Sequence, residues 1–422
     1  MGTGVGRQGK VLQGNHGLRV PGCLWCRLAR DLNATRLLRI GIVLSVSAIA
    51  ADLCASLFLI RDGVFLGRPL PPFGALTAPE QRATVERMSA DAAGPGVFDA
   101  ELGWTWRPSS KEGTIEIDAL GARGPREYGP RPAPGKRRMV TFGDSFTFGD
   151  EVSVEASFQW LLEGFEPGFE VLNFGVSGYG TDQALLRYRA LGRELGGEVV
   201  CMGILLENIG RNVNRYRPMW NTRTGFCLTK PRFTLDERGE LVLLPQPYSS
   251  RAELRTAILD GSVLERIAEH EYWLGRPNVP TGKLSSLVRI ATGYLAYRER
   301  TPALLWRDRE GEPFQVTLAI LQEFQREALA DGARLAPILI FPAKEDIVRY
   351  ALPGKPFWSA FLAELDRRGL VYVDLVVPLT ARARELAEDP PAKSLYQGGH
   401  LSKVGNAVVA RTLQAWIKQR SP

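Results

Sequence analysis

The chain has 422 residues, 45% hydrophobic and 23% charged, a balance that excludes a largely disordered protein and leaves ample material for a core. Its net charge of +7 suggests nucleic acid, but residues 1–39 hold seven basic side chains (Arg7, Lys10, Arg19, Arg27, Arg30, Arg36, Arg39) against Asp31 alone, a net +6, so the other 383 residues carry +1. A nucleic-acid binder needs its basic face on the folded part, so no nucleic acid is expected as a partner and the charge reads as a topology signal.

That signal directly precedes residues 40–60, IGIVLSVSAIAADLCASLFLI. As a helix these 21 residues span about 31 Å, matching a hydrocarbon core of roughly 30 Å. Asp52 is the one charge inside, costing about 2.5–3.5 kcal/mol at the bilayer centre and less near an interface. With the basic tail (1–39) held in the cytoplasm, the expectation is a single-pass protein whose remainder is exported. Three rival readings stand beside it: signal-peptidase cleavage at Ala48-Ile49-Ala50, a lipoprotein signal at Leu53-Cys54, and a buried soluble helix. Leu53 is large for the residue before a lipidated cysteine, and nothing before the helix reads as a domain.

Five cysteines form no disulfide framework. Cys23 and Cys26 make a lone CxxC in the tail, and Cys201 falls in an apolar run that reads as a buried strand. A Cys201–Cys227 bridge depends on geometry and an oxidising compartment.

Residues 61–95 are a Pro/Ala/Gly-rich linker, and 96–421 are expected to form the main domain. Its lead-in, 96–128, has short strand-like runs with turns. After a Pro-rich break at 129–135, strands are expected at 138–142, 169–174, 199–206, 335–341 and 370–375. Helices are expected near 154–163, 182–194, 356–368 and 402–419. Strands alternating with amphipathic helices predict an α/β fold with a doubly wound parallel sheet, a flavodoxin-like α/β/α sandwich. An insertion near 215–312 interrupts it, with a hairpin at 231–245 and helical stretches at 252–273 and 285–300. An insertion of that size suits either a lid or substrate platform or a decorative subdomain.

The strongest chemical signal is Thr141-Phe-Gly-Asp-Ser-Phe-Thr-Phe-Gly149, at the carboxyl end of the first expected strand, where open α/β sheets place their ligand crevice. A serine there presents its hydroxyl to solvent while its N–H stays free at a helix start, which suits a nucleophile that also helps bind an oxyanion. Alone, Gly-Asp-Ser merely makes a turn and caps a helix. It is not alone. Asn173-Phe-Gly-Val-Ser-Gly-Tyr-Gly180 follows the second strand and Leu206-Glu-Asn-Ile-Gly210 the third, so Ser145, Gly178 and Asn208 gather on one sheet edge. Gly178 lets backbone N–H approach a substrate, and the Asn208 amide can donate to developing negative charge.

A serine nucleophile needs a base, and the chain has three histidines. His16 lies in the tail and His270 on a charged helical stretch. His400, in Tyr396-Gln-Gly-Gly-His-Leu-Ser-Lys-Val-Gly-Asn406, precedes the last amphipathic helix and is the candidate base.

These segments resemble the SGNH/GDSL hydrolase superfamily. GDSFTFG is similar to its first block, with Ser145 at the nucleophile position, and NFGVSGYG to its second, with Gly178 at the oxyanion glycine. LLENIG is similar to the third, with Asn208 matching and Ile209 replacing the usual Asp. GGHLSKVGN resembles the fifth, with His400 at the base. The lead-in ELGWTWRP and DALGARG resembles a membrane-anchored branch. Gln397 departs from the pattern, since the fifth block carries Asp three residues before His. The resemblance covers roughly 97–220 and 330–420, leaving the insertion outside.

The resemblance implies an extracytoplasmic serine ester hydrolase, with Ser145 as nucleophile, His400 as base, and the Ser145 and Gly178 N–H groups with the Asn208 amide as oxyanion hole. The substrate would be an acylated small molecule or polysaccharide. Two alternatives stand beside it: an O-acyltransferase acting on an exported polysaccharide with the same residues, and a non-catalytic glycan-binding protein that kept the fold and lost its acid. No cofactor or metal is expected, since no His/Cys/carboxylate cluster has ligand spacing. The group orienting His400 is left among Asp374, at the end of the fifth strand, Asp389, and no carboxylate at all.

Overall fold

The computed structural model describes residues 34–61, 64–66, 68–70, 79–88, 96–221, 224–274 and 285–420. Most of the basic tail, with His16, Cys23 and Cys26, and much of the 61–95 linker lie outside these residues.

Five parallel strands form the central sheet: β1 (Arg137–Phe142), β2 (Phe169–Asn173), β3 (Val199–Leu205), β4 (Ile338–Phe341) and β5 (Tyr372–Asp374). Their order, β5-β4-β3-β1-β2, is that of a doubly wound α/β sheet. Both faces are covered, which explains why β3 reads as an unbroken apolar run rather than an alternating one. Val140, Phe142, Leu172, Met202 and Ile340 point into one core, with the helices Thr181–Leu191, Glu312–Ala330 and Ser359–Arg367. Met139, Val171, Cys201 and Leu339 point the other way, onto the helices Phe158–Phe165, Val376–Leu386 and Lys403–Lys418. The period of two along each strand sorts the side chains between these layers.

Local chemistry moves several boundaries. The fourth strand begins at Ile338 because Pro337 has no N–H to give the ladder, and Leu335 reaches β3 only by a bridge to Val199. The helix expected at 154–163 is two pieces, a single turn Val154–Ala156 and then Phe158–Phe165, separated by Ser157, whose hydroxyl caps the second by accepting from Trp160 N–H. Glu312–Ala330 and Val376–Leu386 are helices that the sequence reading left unassigned.

The lead-in forms two hairpins, Gly96–Asp99 with Gly103–Trp106 and Ser110–Glu112 with Ile115–Ile117. The insertion holds the hairpin Arg232–Leu235 with Leu241–Leu244 and the helices Arg251–Asp260 and Ser286–Glu299. Cys201 and Cys227 are buried free thiols in opposite cores, so no bridge joins them. Upstream, Arg36–Leu59 is a 24-residue apolar helical stretch, long enough to cross a membrane, with its side chains exposed. Asp52 within it accepts hydrogen bonds from the Ser285 hydroxyl (2.7 Å) and Leu287 N–H (2.9 Å).

Candidate active site

β1 ends at Phe142, and the chain turns through Gly143 and Asp144 into the short helix Ser145–Phe148. Asp144 is its N-cap, with Oδ1 accepting from Phe146 N–H at 2.9 Å. Ser145 is thus the first helical residue, with a backbone N–H that has no intrahelical partner. Neither this N–H nor that of Gly178 donates to a protein acceptor among the described residues. The Ser145 hydroxyl makes no hydrogen bond to protein among the described residues either.

Gly178 follows β2 in a turn with φ +82°, where a side chain would be strained. The lead-in builds that turn. Trp104 Nε1 donates to Ser177 O (2.9 Å), Trp106 Nε1 to Gly175 O (3.1 Å), and Tyr179 OH returns a bond to Trp104 O (2.6 Å). Arg123, also from the lead-in, clamps the loop after Ser145 by donating to the carbonyls of Phe148, Gly149 (2.8 Å) and Val152 (2.6 Å). Burial pushes the Arg123 guanidinium down to about 10.

Asn208, after β3, is fully buried. Its Oδ1 accepts from Leu205 N–H (2.8 Å), and its Nδ2 donates to Asp144 Oδ2 (3.0 Å) and Tyr179 O (3.4 Å). Both amide hydrogens therefore have acceptors inside the protein. The residue stands on the expected edge, tying the ends of three strands together, and its amide is engaged rather than open to a ligand. Arg211 supports the same knot, donating to Tyr179 O (3.0 Å) and pairing with Asp144 (3.5 Å) and Glu207 (3.0 Å).

His400 lies on the two-residue strand His400–Leu401, just before the last helix, whose cap is Ser402. Its ring centroid is 5.2 Å from that of Phe146, the neighbour of Ser145. Two carboxylates flank the imidazole: Glu151 Oε1 lies 3.4 Å from Nδ1, which is buried and makes no hydrogen bond, and Asp150 Oδ2 lies 3.9 Å from Nε2. Both come from the loop that Arg123 clamps, and Asp150 N–H donates to Ser145 O at 3.1 Å. Asp150 Oδ1 accepts from Ser177 Oγ at 2.6 Å. Burial pushes the Asp150 carboxyl up, against the Ser177 hydroxyl and the His400 and Arg123 charges.

The carboxylates beside His400 are thus not those named from the sequence. Asp374 ends β5, but its Oδ1 accepts from Val376 N–H (2.9 Å), and it makes no ion pair with His400. It is engaged with the start of the next helix rather than with the histidine. Asp389 likewise has no ion pair with the ring. Gln397 donates to Glu151 O (2.9 Å) instead of touching the imidazole, and Gly399 N–H donates to Glu151 Oε2 (3.1 Å). A Cβ at Gly398 would collide with the Glu151 carboxylate, so this turn is built around Glu151. Glu151 itself has φ +69°, unusual for a residue with a side chain and in keeping with a backbone held for function. The sequence signal available for it was Asp150-Glu151 closing the first motif beside a missing acid at position 397. His270 lies next to Glu269 (3.7 Å), as a charged stretch would have it. Among the described residues no cluster of His, Cys, Asp or Glu could hold a metal ion.

No protein-family model and no curated protein matches this chain. Among solved structures it is similar to a lipolytic protein of the G-D-S-L family from Desulfitobacterium hafniense, with 12% identity and a TM-score of 0.31, covering 66% of this chain and 99% of that one. It is also similar to a G-D-S-L lipolytic protein from Veillonella parvula (8% identity, TM-score 0.30, 66% and 97% covered). A catalytic variant of an acetylxylan esterase from Geobacillus stearothermophilus is similar too, with 14% identity, a TM-score of 0.29, and 67% and 95% covered.

Proposed function

We propose that this chain is a serine ester hydrolase of the SGNH type, held on the outer face of a membrane by its N-terminal helix. The observation that carries this reading is the edge itself: a Ser145 hydroxyl and two N–H groups, at Ser145 and Gly178, without partners among the described residues, at the carboxyl ends of β1 and β2, and a histidine just before the last helix with a carboxylate beside Nδ1. With Glu151 at Nδ1, the nitrogen left to act as base is Nε2. Ser145 Oγ attacks the acyl carbon as its proton passes to His400 Nε2. The carbonyl oxygen, now an oxyanion, is met by the Ser145 and Gly178 N–H groups. Collapse breaks the ester C–O bond, and the departing alcohol takes the proton from His400. Water then attacks the acyl-enzyme, gives its proton to His400, and the acid leaves as Ser145 is reprotonated. Asn208 serves here by holding Asp144 and Tyr179, and through them the two N–H donors.

A fluorophosphonate probe tests this without knowledge of the substrate. Labelling is expected in the full-length protein and lost in Ser145→Ala and His400→Ala. A wild-type protein inert to the probe sinks the hydrolase reading. Export rests on the basic tail before the apolar helix. A reporter fused after Leu66 is expected to behave as external, and a cytoplasmic one would reverse the orientation.

A further inference from the structure

One buried cation beside the site makes no hydrogen bond or ion pair among the described residues. Arg217 opens the short helix Arg217–Trp220 in the segment that follows Asn208 and is 6% exposed. Its Nε and Nη1 are sealed from solvent without a hydrogen-bond acceptor, and Nη2 makes no hydrogen bond either. The other buried cations around it have acceptors: Arg187, Arg215 and Arg300 donate to backbone carbonyls, and three more meet acids. Arg211 pairs with Glu207 and Asp144, Lys230 with Asp182, and Arg232 with Glu312. Among the described residues no carboxylate oxygen comes within 4.0 Å of Arg217. A guanidinium stripped of water without hydrogen bonds is steeply unfavourable, and a ligand at Nη2 would supply one of the missing acceptors. Burial and the neighbouring Arg211 charge push Arg217 down to about 9, against the charges of Glu207, Asp144 and Asp182, leaving it cationic at neutral pH.

The direction of the side chain says where that ligand sits. Arg217 Nη2 lies 3.9 Å from the point a Cβ on Gly178 would occupy, and Trp104 Cζ2 lies 3.4 Å from the same point. Gly178 is itself half-buried, so this space opens outward at the sheet edge. It has one aromatic wall and one cationic wall. Because Arg217 approaches on the side-chain side of Gly178, it complements the backbone donors rather than replacing them. Nη2, the guanidinium nitrogen that reaches this space beside an indole edge, fits a carboxylate oxygen borne on a short carbon skeleton.

We propose that Arg217 binds a carboxylate carried by the ester substrate, so that the site selects carboxylate-bearing esters over neutral ones. The proposal rests on the hydrolase reading for its substrate, but the anion site can be tested without turnover. The carboxylate has two sources, the acyl chain or the alcohol, and the substrates separate them. The full-length protein in detergent micelles would be assayed with 4-nitrophenyl hemisuccinate against 4-nitrophenyl acetate, and with 4-acetoxybenzoate against its methyl ester. The first pair places the carboxylate on the acyl side and the second on the alcohol side.

Arg217→Gln is expected to lower the kcat/KM ratio of carboxylate to neutral ester by roughly 10–100-fold in one pair, the scale of a lost charge-assisted hydrogen bond. Arg217→Lys should recover part of that ratio, which a merely structural role would not produce. Equal losses on both members of each pair, or no loss on either, overturn the proposal. Succinate should also raise the melting temperature of wild type and Ser145→Ala but not of Arg217→Gln. Should no ester turn over at all, the hydrolase reading fails, and the succinate shift still decides the anion site. Should Arg217→Gln not fold, a wild type with neither a preference for carboxylate esters nor a succinate shift overturns the proposal.

Discussion

Glu151 holds Oε1 3.4 Å from Nδ1 of His400 while its own backbone carbonyl accepts from the amide of Gln397 at 2.9 Å. Gln397, three residues before the histidine, thus anchors the loop whose carboxylate flanks the ring. In the proposed hydrolase, Glu151 would act through His400 as a positioning residue. Glu151→Gln keeps the backbone contact from Gln397 and removes the carboxylate, so kcat is expected to fall by up to roughly 10⁴ with the melting temperature nearly unchanged. Asp374→Asn should leave kcat intact, because Asp374 serves Val376 N–H. Loss of activity in Asp374→Asn with Glu151→Gln fully active would reverse the assignment.

Asn208 tests a different part of the site. Its three hydrogen bonds, to Leu205 N–H, Asp144 Oδ2 and Tyr179 O, are all internal. Asn208→Ala should therefore lower kcat and also destabilise the fold by about 1–3 kcal/mol, the penalty for leaving buried groups unsatisfied. A free oxyanion donor would behave otherwise, with kcat falling roughly 10²–10³ and stability unchanged. Thermal unfolding measured beside kinetics separates the two roles.

The residues legible in the sequence share a physical reason. Ser145, Gly178 and Asn208 each follow an apolar run long enough to be a buried strand, and parallel strands bring their carboxyl ends to one edge. His400 was legible because it stands beside the cap of a strongly amphipathic final helix. Glu151 was not, since its meeting with His400 depends on how a loop after β1 lies against a turn near the chain's end. The lead-in was also underread. Trp104, Trp106 and Arg123 look like packing residues in sequence, yet their N–H groups fix the Gly178 turn and the Asp150-Glu151 loop. The helix Val376–Leu386 was hidden because Pro378 falls in its first turn, a place where proline is tolerated but reads as a break.

The insertion is tied to the site by charge. Lys230, just before its hairpin, pairs with Asp182, which lies two residues beyond the Gly-rich turn, and both side chains are fully buried. Burial pushes the Asp182 carboxyl up and the Lys230 ammonium down, each opposed by its partner's charge. Lys230→Met strands a buried carboxylate and is expected to destabilise the protein by about 3–5 kcal/mol. The double variant Lys230→Met/Asp182→Leu should recover most of that loss, as measured by chemical unfolding. A single variant as stable as wild type would show that the pair carries no structural weight.

The lead-in that clamps the site also carries a pH dependence. Asp118 is 2% exposed, its Oδ1 accepts from Ala122 N–H (2.7 Å), and its Oδ2 is buried without a partner. Burial, with the nearby Glu127 charge, pushes its carboxyl up from 3.8 to about 6, and the Ala122 N–H only partly opposes this. The native state therefore holds this proton more tightly than the unfolded chain does. The stability it contributes is fully present below about pH 4 and is lost as pH rises through 6, to the order of 3 kcal/mol at neutral pH. Asp118→Asn keeps the Oδ1 acceptor and removes the charge. Its melting temperature should equal that of wild type near pH 4 and exceed it near pH 7.5. Because Arg123 follows Ala122 directly and grips the carbonyls of Gly149 and Val152, the same variant should hold the Glu151 loop more firmly at neutral pH. A melting-temperature difference that stays constant between the two pH values would show that Asp118 is ionised in the native protein at both, and that its burial is offset by groups other than Ala122.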